Sequence, residues 1–292
     1  MCFRRGAIIT VGMKSDLEHG AIARPARDLF DWGRRTYVMG VVNVAPDSFS
    51  GDGLCDVEAA ICRGRQLVAD GADIIDVGGE STRPNCIAIS LEEELRRVLP
   101  VIKGLAGELL VPISIDTYKA EVAGEAVAAG AQMINDVWGL KRDPRLARIA
   151  ADSGTLLIIT QNQRDAQFHD FFPELIADIR KSVQLAQEAG VDRDRIIIDP
   201  GIGFGKTAAQ NIEILRRLSE LKVVGLPILI GTSRKSFIGL TLGLPPDQRL
   251  EGTAATVAIG IANGADIVRV HDVMQMVRVV RMSDAIIRDN QV

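Results

Sequence analysis

Arg195-Ile196-Ile197-Ile198-Asp199 is a β-branched run that stops on a carboxylate, and Pro200-Gly201-Ile202-Gly203-Phe204-Gly205-Lys206 follows it as a glycine-rich turn. Three consecutive isoleucines with no polar alternation suit a parallel strand buried on both faces. Downstream, Asn211-Ile212-Glu213-Ile214-Leu215-Arg216-Arg217-Leu218 repeats its apolar residues at three and four, as an amphipathic helix does. The same unit recurs along the chain. Predicted strands cover 37–43, 72–78, 112–116, 133–136, 156–160, 195–199, 227–231 and 265–270. The polar endings are Asn43, Glu80, Asp116, Asn135, Thr160, Asp199, Lys235, and Arg269 with His271. Eight strand–helix units predict an α/β fold, a single-domain (β/α)8 TIM barrel, and place the chemistry at the carboxyl ends of the strands.

The barrel is expected over 37–288, after a partly disordered N-terminal extension over 1–36. Within that extension, Arg4 and Arg5 precede an apolar run, but Lys14, Asp16 and Glu18 follow at once with no cleavage-type site, so it is not expected to act as a secretion signal. Met13 is an alternative start, and 28–35 is expected to be a polar, irregular lead-in. Gly71, Gly130, Gly154, Gly190 and Gly264 each sit between a helix and a strand, where a left-handed helix stop is expected. Ser90, three residues before Glu93, predicts a capping box.

Composition narrows the function classes. The chain has 292 residues, 47% hydrophobic and 25% charged, with a formal net charge of -4, so no broad basic footprint for nucleic acid exists. The cysteines, Cys2, Cys55, Cys62 and Cys86, form no CxxC pair, which fits free thiols in a reducing cytoplasm. No run reaches the roughly 18 apolar residues of a membrane span.

Several of these residues also have a plain structural explanation. Asp116 could cap the helix after its strand. His271 could bond a backbone carbonyl, and Arg234 and Lys235 could be surface charges. The Gly201–Gly205 stretch could be only a turn; a phosphate loop is excluded because Pro200 stands where the motif needs its first glycine.

Taken together, Asn43-Val44-Ala45-Pro46-Asp47-Ser48-Phe49-Ser50, Gly79-Glu80-Ser81-Thr82-Arg83-Pro84, Asp116-Thr117, Ile134-Asn135-Asp136-Val137, the 199–206 stretch, Gly231-Thr232-Ser233-Arg234-Lys235-Ser236-Phe237 and Arg269-Val270-His271 closely resemble the dihydropteroate synthase family from about Tyr37 to Ile287. The resemblance implies a folate-pathway transferase that joins a dihydropterin-methyl diphosphate to para-aminobenzoate. It implies Asp199 as the carboxylate that takes the pterin's N–H edge, with Asp116, Asn135 and Lys235 as further ring partners. Arg269 and His271 match the family's anion site, so Lys235, Arg269 and His271 are the implied catalytic groups. Asn43 matches its Mg²⁺-site residue, and Thr82, Arg83, Pro84 and Ser236 match positions around the aminobenzoate. Family members usually pair as homodimers through late helices; Met274, Met276, Val277, Val279 and Val280 are candidates for that surface, or for the inner face of the last helix.

Departures from the family pattern fall at three places, the loops after the first and second strands and the end of the fifth. The first has Ala45 for threonine and Gly51-Asp52-Gly53 where the acidic residue usually comes one place earlier. The fifth strand ends Thr160-Gln161-Asn162-Gln163 where the family usually has Met-His, and Asn85 replaces a glycine. Loss of the methionine's apolar surface is expected to weaken ring binding by on the order of 1–2 kcal/mol. Two functions follow: a synthase of reduced activity, or an inactive paralogue that still binds pterin-, aminobenzoate- or sulfa-like ligands. A pterin-dependent methyltransferase domain is a third, which would not need the Ser81-Thr82-Arg83-Pro84 and 233–237 stretches.

Overall fold

Each isoleucine- and valine-rich run forms a parallel strand, and the strands are β1 (Tyr37–Asn43), β2 (Ile74–Gly78), β3 (Ile113–Asp116), β4 (Met133–Asp136), β5 (Leu156–Thr160), β6 (Ile196–Asp199), β7 (Leu229–Ile230) and β8 (Ile267–Val270). The structure is a computed structural model that describes residues 29–45, 56–81, 88–162 and 168–288. The strand order is β6-β5-β4-β3-β2-β1-β8-β7, and an isolated parallel bridge from Ile198 to Ile228 joins the two edges, so the sheet closes on itself. This is the expected (β/α)8 barrel.

The outer layer is α1 (Val57–Ala69), α2 (Leu91–Ala106), α3 (Ala120–Ala128), α4 (Arg145–Ser153), α5 (Phe171–Glu188), α6 (Ala208–Arg217), α7 (Ser236–Leu242), α8 (Leu250–Ala262) and α9 (Val273–Ile287). The seventh crossover, from β7 to β8, thus carries an extra short helix, α7, which the eight-unit pattern does not predict. The five glycines expected as helix stops all have positive φ. Ser90 caps α2 by accepting from Glu93 N–H at 3.2 Å. The carboxylate of Glu93 goes to Arg96 and Arg97 instead of back to the cap, because two guanidiniums on the next turn attract it more strongly than one amide.

β7 is shorter than predicted. Pro227 has no N–H to give a ladder, although its carbonyl accepts from Ile198 N–H at 3.0 Å. At the amino end of the barrel, polar side chains take the job of ladder bonds. Asp73 accepts from Val38 N–H at 2.9 Å, Asp266 from Ile228 N–H at 3.0 Å and Gln132 from Ile113 N–H at 3.2 Å.

Strand alternation divides the core in two. Val38, Val42, Ile75, Val77, Ile113, Ile115, Ile134, Leu157, Ile159, Ile196, Ile198, Ile228, Ile230, Val268 and Val270 face the helices. Tyr37, Met39, Ile74, Met133, Leu156, Ile158, Ile197, Leu229 and Ile267 fill the tube. Leu29, Phe30 and Trp32 pack under this inner column, with the Phe30 ring 4.8 Å from both the Trp32 and Tyr37 rings. The 28–35 stretch therefore differs from its polar expectation: from Leu29 on it is an aromatic plug that shuts the lower end.

Candidate active site

The parity that puts Met39, Ile74, Met133, Ile158, Ile197, Leu229 and Ile267 inside the tube carries on to the upper ends of the strands. Counting by two gives Asn43, Asp76, Asp116, Asn135, Thr160, Asp199, Gly231, Arg269 and His271 at the mouth. Sequence position alone thus brings together Asp116, Asn135, Asp199 and Arg269, with Asn43 half-buried at the end of β1.

Arg269 is the centre of this group. Its Nε donates to Asp76 Oδ2 at 2.6 Å and its Nη2 to Asp116 Oδ2 at 2.7 Å. Asn135 Nδ2 also donates to Asp76 Oδ2, at 3.2 Å. Burial works against the guanidinium's charge, but Asp76 and Asp116 together raise its pKa, so it stays a cation. Burial likewise pushes Asp116 up to about 7, opposed by Arg269 and reinforced by the Asp76 charge. Asp76 Oδ1, Asp116 Oδ1 and Ser114 Oγ are buried with no hydrogen-bond partner among the described residues. Buried acceptors of this kind cost free energy until a donor arrives.

Across the mouth, Asp199 Oδ1 accepts from Gly201 N–H at 2.7 Å. Burial raises the Asp199 pKa, against the pull of Lys235. Lys235 donates to the Ile202 carbonyl, and its ammonium lies 4.6 Å from the centre of the Phe204 ring. Burial lowers it to about 8, with Asp199 pulling it back up. Gly201 has φ +71 and its Cα lies so close to β5 that a Cβ would sit 1.7 Å from the Gln161 carbonyl oxygen. At the far side, His271 Nδ1 is 2.9 Å from Ser233 Oγ, and Arg63 donates to the His271 carbonyl at 2.9 Å. Ser236 is exposed at the first turn of α7. Thr82, Arg83 and Pro84, like Gly51, Asp52 and Gln163, lie outside the described residues.

Several plain explanations are settled by these contacts. Asp116 does not cap the next helix; Asp143 accepts from Ala120 N–H there, at 3.0 Å. Lys235 is not a surface charge, but its neighbour Arg234 turns away, at φ +57, to pair with Asp272 at 2.9 and 2.5 Å. Asp136 faces outward and accepts from Trp138 N–H at 2.8 Å and Leu140 N–H at 2.5 Å, so it shapes the turn after β4. Glu80 also leaves the mouth, for Tyr118 Oη at 3.0 Å and Lys119 Nζ at 2.8 Å.

The fifth strand separates its two departures. Thr160 points inward, and its buried hydroxyl has no hydrogen-bond partner among the described residues. Gln161 has the opposite parity, and its Nε2 donates to Asp178 on α5 at 3.0 Å. Asn162 Nδ2 bonds the Val137 carbonyl at 2.8 Å.

Two functional groups were missed from the sequence. Asp76 is completely buried under Arg269; its signal was an aspartate inside the apolar run Ile74-Ile75-Asp76-Val77. Lys206 donates to the carbonyls of Gly201, Gln161 and Phe204 at 2.9, 3.2 and 3.2 Å, tying the loop after β6 to the end of β5. Burial lowers it to about 7.

These shifts set an unusual pH dependence. Asp116 and Asp136, at about 7 and about 6 in the fold, bind protons more tightly than in the unfolded chain. Their contribution is complete below the unfolded value of about 4 and is lost as pH rises through 6 and 7. Lys206 and Lys235, lowered to about 7 and about 8, give the opposite slope, with stability lost as pH falls from the unfolded value of about 10.4 through those folded values. The ligand-free protein is therefore expected to be least stable near pH 7–8. Its free energy of unfolding should rise between pH 7.5 and 5.5, by up to about 1.4 kcal/mol per pH unit for each group, seen as a higher Tm, and Asp116→Asn should flatten the rise. A Tm that is level across this window, or a slope indifferent to that substitution, contradicts the assignment.

Comparison with known proteins agrees with this geometry. Residues 39–271 match the family described as pterin binding enzyme. The chain is 50% identical over 254 residues to a dihydropteroate synthase of Bacillus subtilis, covering 87% of this chain and 89% of that protein. It resembles the structure of a Clostridium difficile dihydropteroate synthase in the presence of pteroic acid, at 51% identity with a TM-score of 0.85 over 89% of this chain and 99% of that one. A Xanthomonas albilineans dihydropteroate synthase with 4-aminobenzoic acid is similar at 41% identity and a TM-score of 0.82, over 87% and 94% of the two chains.

Proposed function

The chain belongs to the dihydropteroate synthase family, and from that premise we propose that it joins a dihydropterin-methyl diphosphate to para-aminobenzoate. The observation that carries the proposal is the set Asp116, Asn135, Asp199, Lys235 and Arg269 gathered at the mouth, with carboxylates that are buried and, at Asp116 Oδ1, without a donor among the described residues. A pterin ring presents amine and amide N–H groups to match them. Charge-assisted bonds from such donors contribute about 1.5–3 kcal/mol each.

In this mechanism Asp116 and Asp199 hold the ring's N–H groups, Asn135 adds an amide contact, and Lys235 offers its ammonium beside Asp199. The carbon–oxygen bond to diphosphate breaks with both electrons leaving on oxygen. The departing charge is met by the cations Arg269 and Lys235 and by His271, a fixed arrangement that needs no reorganisation. The aromatic amine then forms the new carbon–nitrogen bond and loses a proton. By the family resemblance, Thr82, Arg83 and Ser236 would contact the aminobenzoate. No strong general base is required, because the amine attacks a carbon already activated by loss of the diphosphate.

Mg²⁺ fits the donor set at the mouth: Asn43 would supply one neutral oxygen, and Mg²⁺ favours few protein ligands, keeping waters and substrate phosphates. When bound, it would neutralise charge on the leaving diphosphate. Among the described residues no cluster of three acidic, histidine or cysteine side chains offers a complete protein cage. The cytoplasm is the proposed location; no helix among the described residues is long and apolar enough to cross a membrane. The proposed domain plan remains an extension over 1–36 and a barrel over 37–288, with the plug at 29–32 serving the barrel. A homodimer is proposed through α6, α7 and α8, where Leu215, Phe237, Ile238, Leu242 and Ile259 line a groove of about 440 Å³. On α9, Met276, Val277 and Val280 are buried in the core instead.

The test is turnover of both substrates by the purified protein, with and without Mg²⁺, together with sedimentation. Thr160→Met should restore apolar surface under the ring and lower the KM for the pterin substrate by about 5- to 30-fold, the equivalent of about 1–2 kcal/mol. Gln161→His should add nothing, since position 161 faces α5. Binding of both ligands without turnover would favour the inactive paralogue, for which Thr160's unpartnered hydroxyl is the supporting observation.

A further inference from the structure

Asp76 belongs to none of the motifs that carry the family resemblance, yet it touches two of the groups assigned to substrate. It is completely buried, midway along β2, and one oxygen, Oδ2, accepts from both Arg269 Nε and Asn135 Nδ2. A carboxylate is an acceptor only. Asn135 must therefore turn its Nδ2 toward Asp76 and its carbonyl oxygen away. The guanidinium is constrained in the same way. Nε and Nη2 lie on one edge of the plane; Asp76 takes the first and Asp116 the second. Nη1 is left pointing away from that edge, with no hydrogen-bond partner among the described residues.

We propose that Asp76 is a positioning residue that sets the plane of Arg269 and the amide orientation of Asn135, so that one presents a donor edge to an anion and the other a carbonyl acceptor to the pterin ring. This rests on the synthase function proposed above. Neither side chain holds that orientation by itself: a long arginine has several rotamers, and an asparagine amide can present either end. A shared buried acceptor removes both freedoms at once. A displacement of about 1 Å in such groups can cost on the order of 10²-fold in rate.

The second oxygen of Asp76 makes the proposal testable. Because Oδ1 has no hydrogen-bond partner among the described residues, asparagine at this position can keep its oxygen on Arg269 and Asn135 and put its NH₂ where Oδ1 was, in register with Ser114 of the neighbouring strand, whose Oγ also lacks a partner among the described residues. Asp76→Asn should therefore stay within about fivefold of wild type in kcat/KM, whereas Asp76→Ala should lose on the order of 10²-fold. The loss should fall on kcat and on the KM of the pterin substrate, with the KM of para-aminobenzoate unchanged. Asp76→Leu, which is branched but has no acceptor, takes the place of alanine if that variant does not fold. Affinity for inorganic diphosphate and for a pterin lacking the diphosphate, read by calorimetry, should fall in the alanine or leucine variant and hold in the asparagine one. Unchanged kcat/KM in the alanine or leucine variant overturns the proposal, as does a lower Tm with normal kinetics. A loss in Asp76→Asn equal to that in the alanine variant overturns it too, since charge and not geometry would then be what matters. If wild-type protein does not turn over the substrates, the synthase function fails, and the calorimetric arms still decide the role of Asp76.

Discussion

Asp199→Ala should lower kcat/KM for the pterin substrate by about 10²- to 10⁴-fold. That range follows from two charge-assisted hydrogen bonds at about 1.5–3 kcal/mol each and about 1.4 kcal/mol per tenfold. There is also an indirect loss. Asp199 is the main influence that keeps the buried ammonium of Lys235 charged against burial. Without it, the Lys235 pKa falls below about 8, and a larger share of the lysine is neutral at physiological pH when diphosphate departs. The defect should therefore deepen as pH rises from about 6 to 8, more than in the wild type. Stability should change little, because the alanine removes a carboxylate whose own burial is unfavourable. Steady-state kinetics with both substrates, with calorimetry of the pterin alone, makes the measurement. A variant within threefold of wild type would remove Asp199 from the pterin site.

Gly201→Ala is expected to be the most damaging single methyl group in the described structure. The residue sits at φ +71, where a side chain costs roughly 1–2 kcal/mol. Its Cβ would also fall 1.7 Å from the backbone oxygen of Gln161, which no rotamer change relieves. That oxygen accepts from Lys206 at 3.2 Å, and Gly201 itself donates to Asp199 and accepts from Lys206 at 2.9 Å, so moving either strand end breaks several contacts together. A destabilisation of more than about 4 kcal/mol is expected, seen as a Tm lower by on the order of 10 °C, with pterin affinity lost in the fraction that folds. Gly243 provides the control. It has nearly the same φ, +72, but nothing lies within 4 Å of where its Cβ would stand. Gly243→Ala should show only the conformational cost. Equal effects at the two sites would mean that the close approach to β5 does not matter.

The fold was legible because its signal is local. Ile196-Ile197-Ile198 can pack on both faces only in a covered parallel strand, and eight such runs leave few architectures. Most of the site was legible for a related reason: a polar residue that ends an inward-facing column has nowhere to point but the mouth, as with Asp116, Asn135 and Asp199. Alternation, applied strictly, also separates Thr160 from Gln161, and it shows that the histidine-to-glutamine change lies on the helix side. Asp76 was hidden because a lone aspartate inside a strand does not declare which face it occupies. Arg234 and Lys235 look alike in sequence, and only the left-handed turn at Arg234 sends one to Asp272 and the other to the pocket. Phe30 and Trp32 were hidden because their partners, beginning with Tyr37, are reached through the end of the tube and not along a periodic face.

The packed inner column, with that aromatic stopper beneath it, makes the mouth a blind alley, and traffic in a blind alley is ordered by depth. Whatever engages Asp116 and Asp199 lies below whatever meets the exposed Ser236, and both share one doorway. On the proposed function, the guest at Asp116 and Asp199 is expected to arrive first, with the upper one closing over it. A condensed product, spanning both levels, has to back out along the path by which its two halves came.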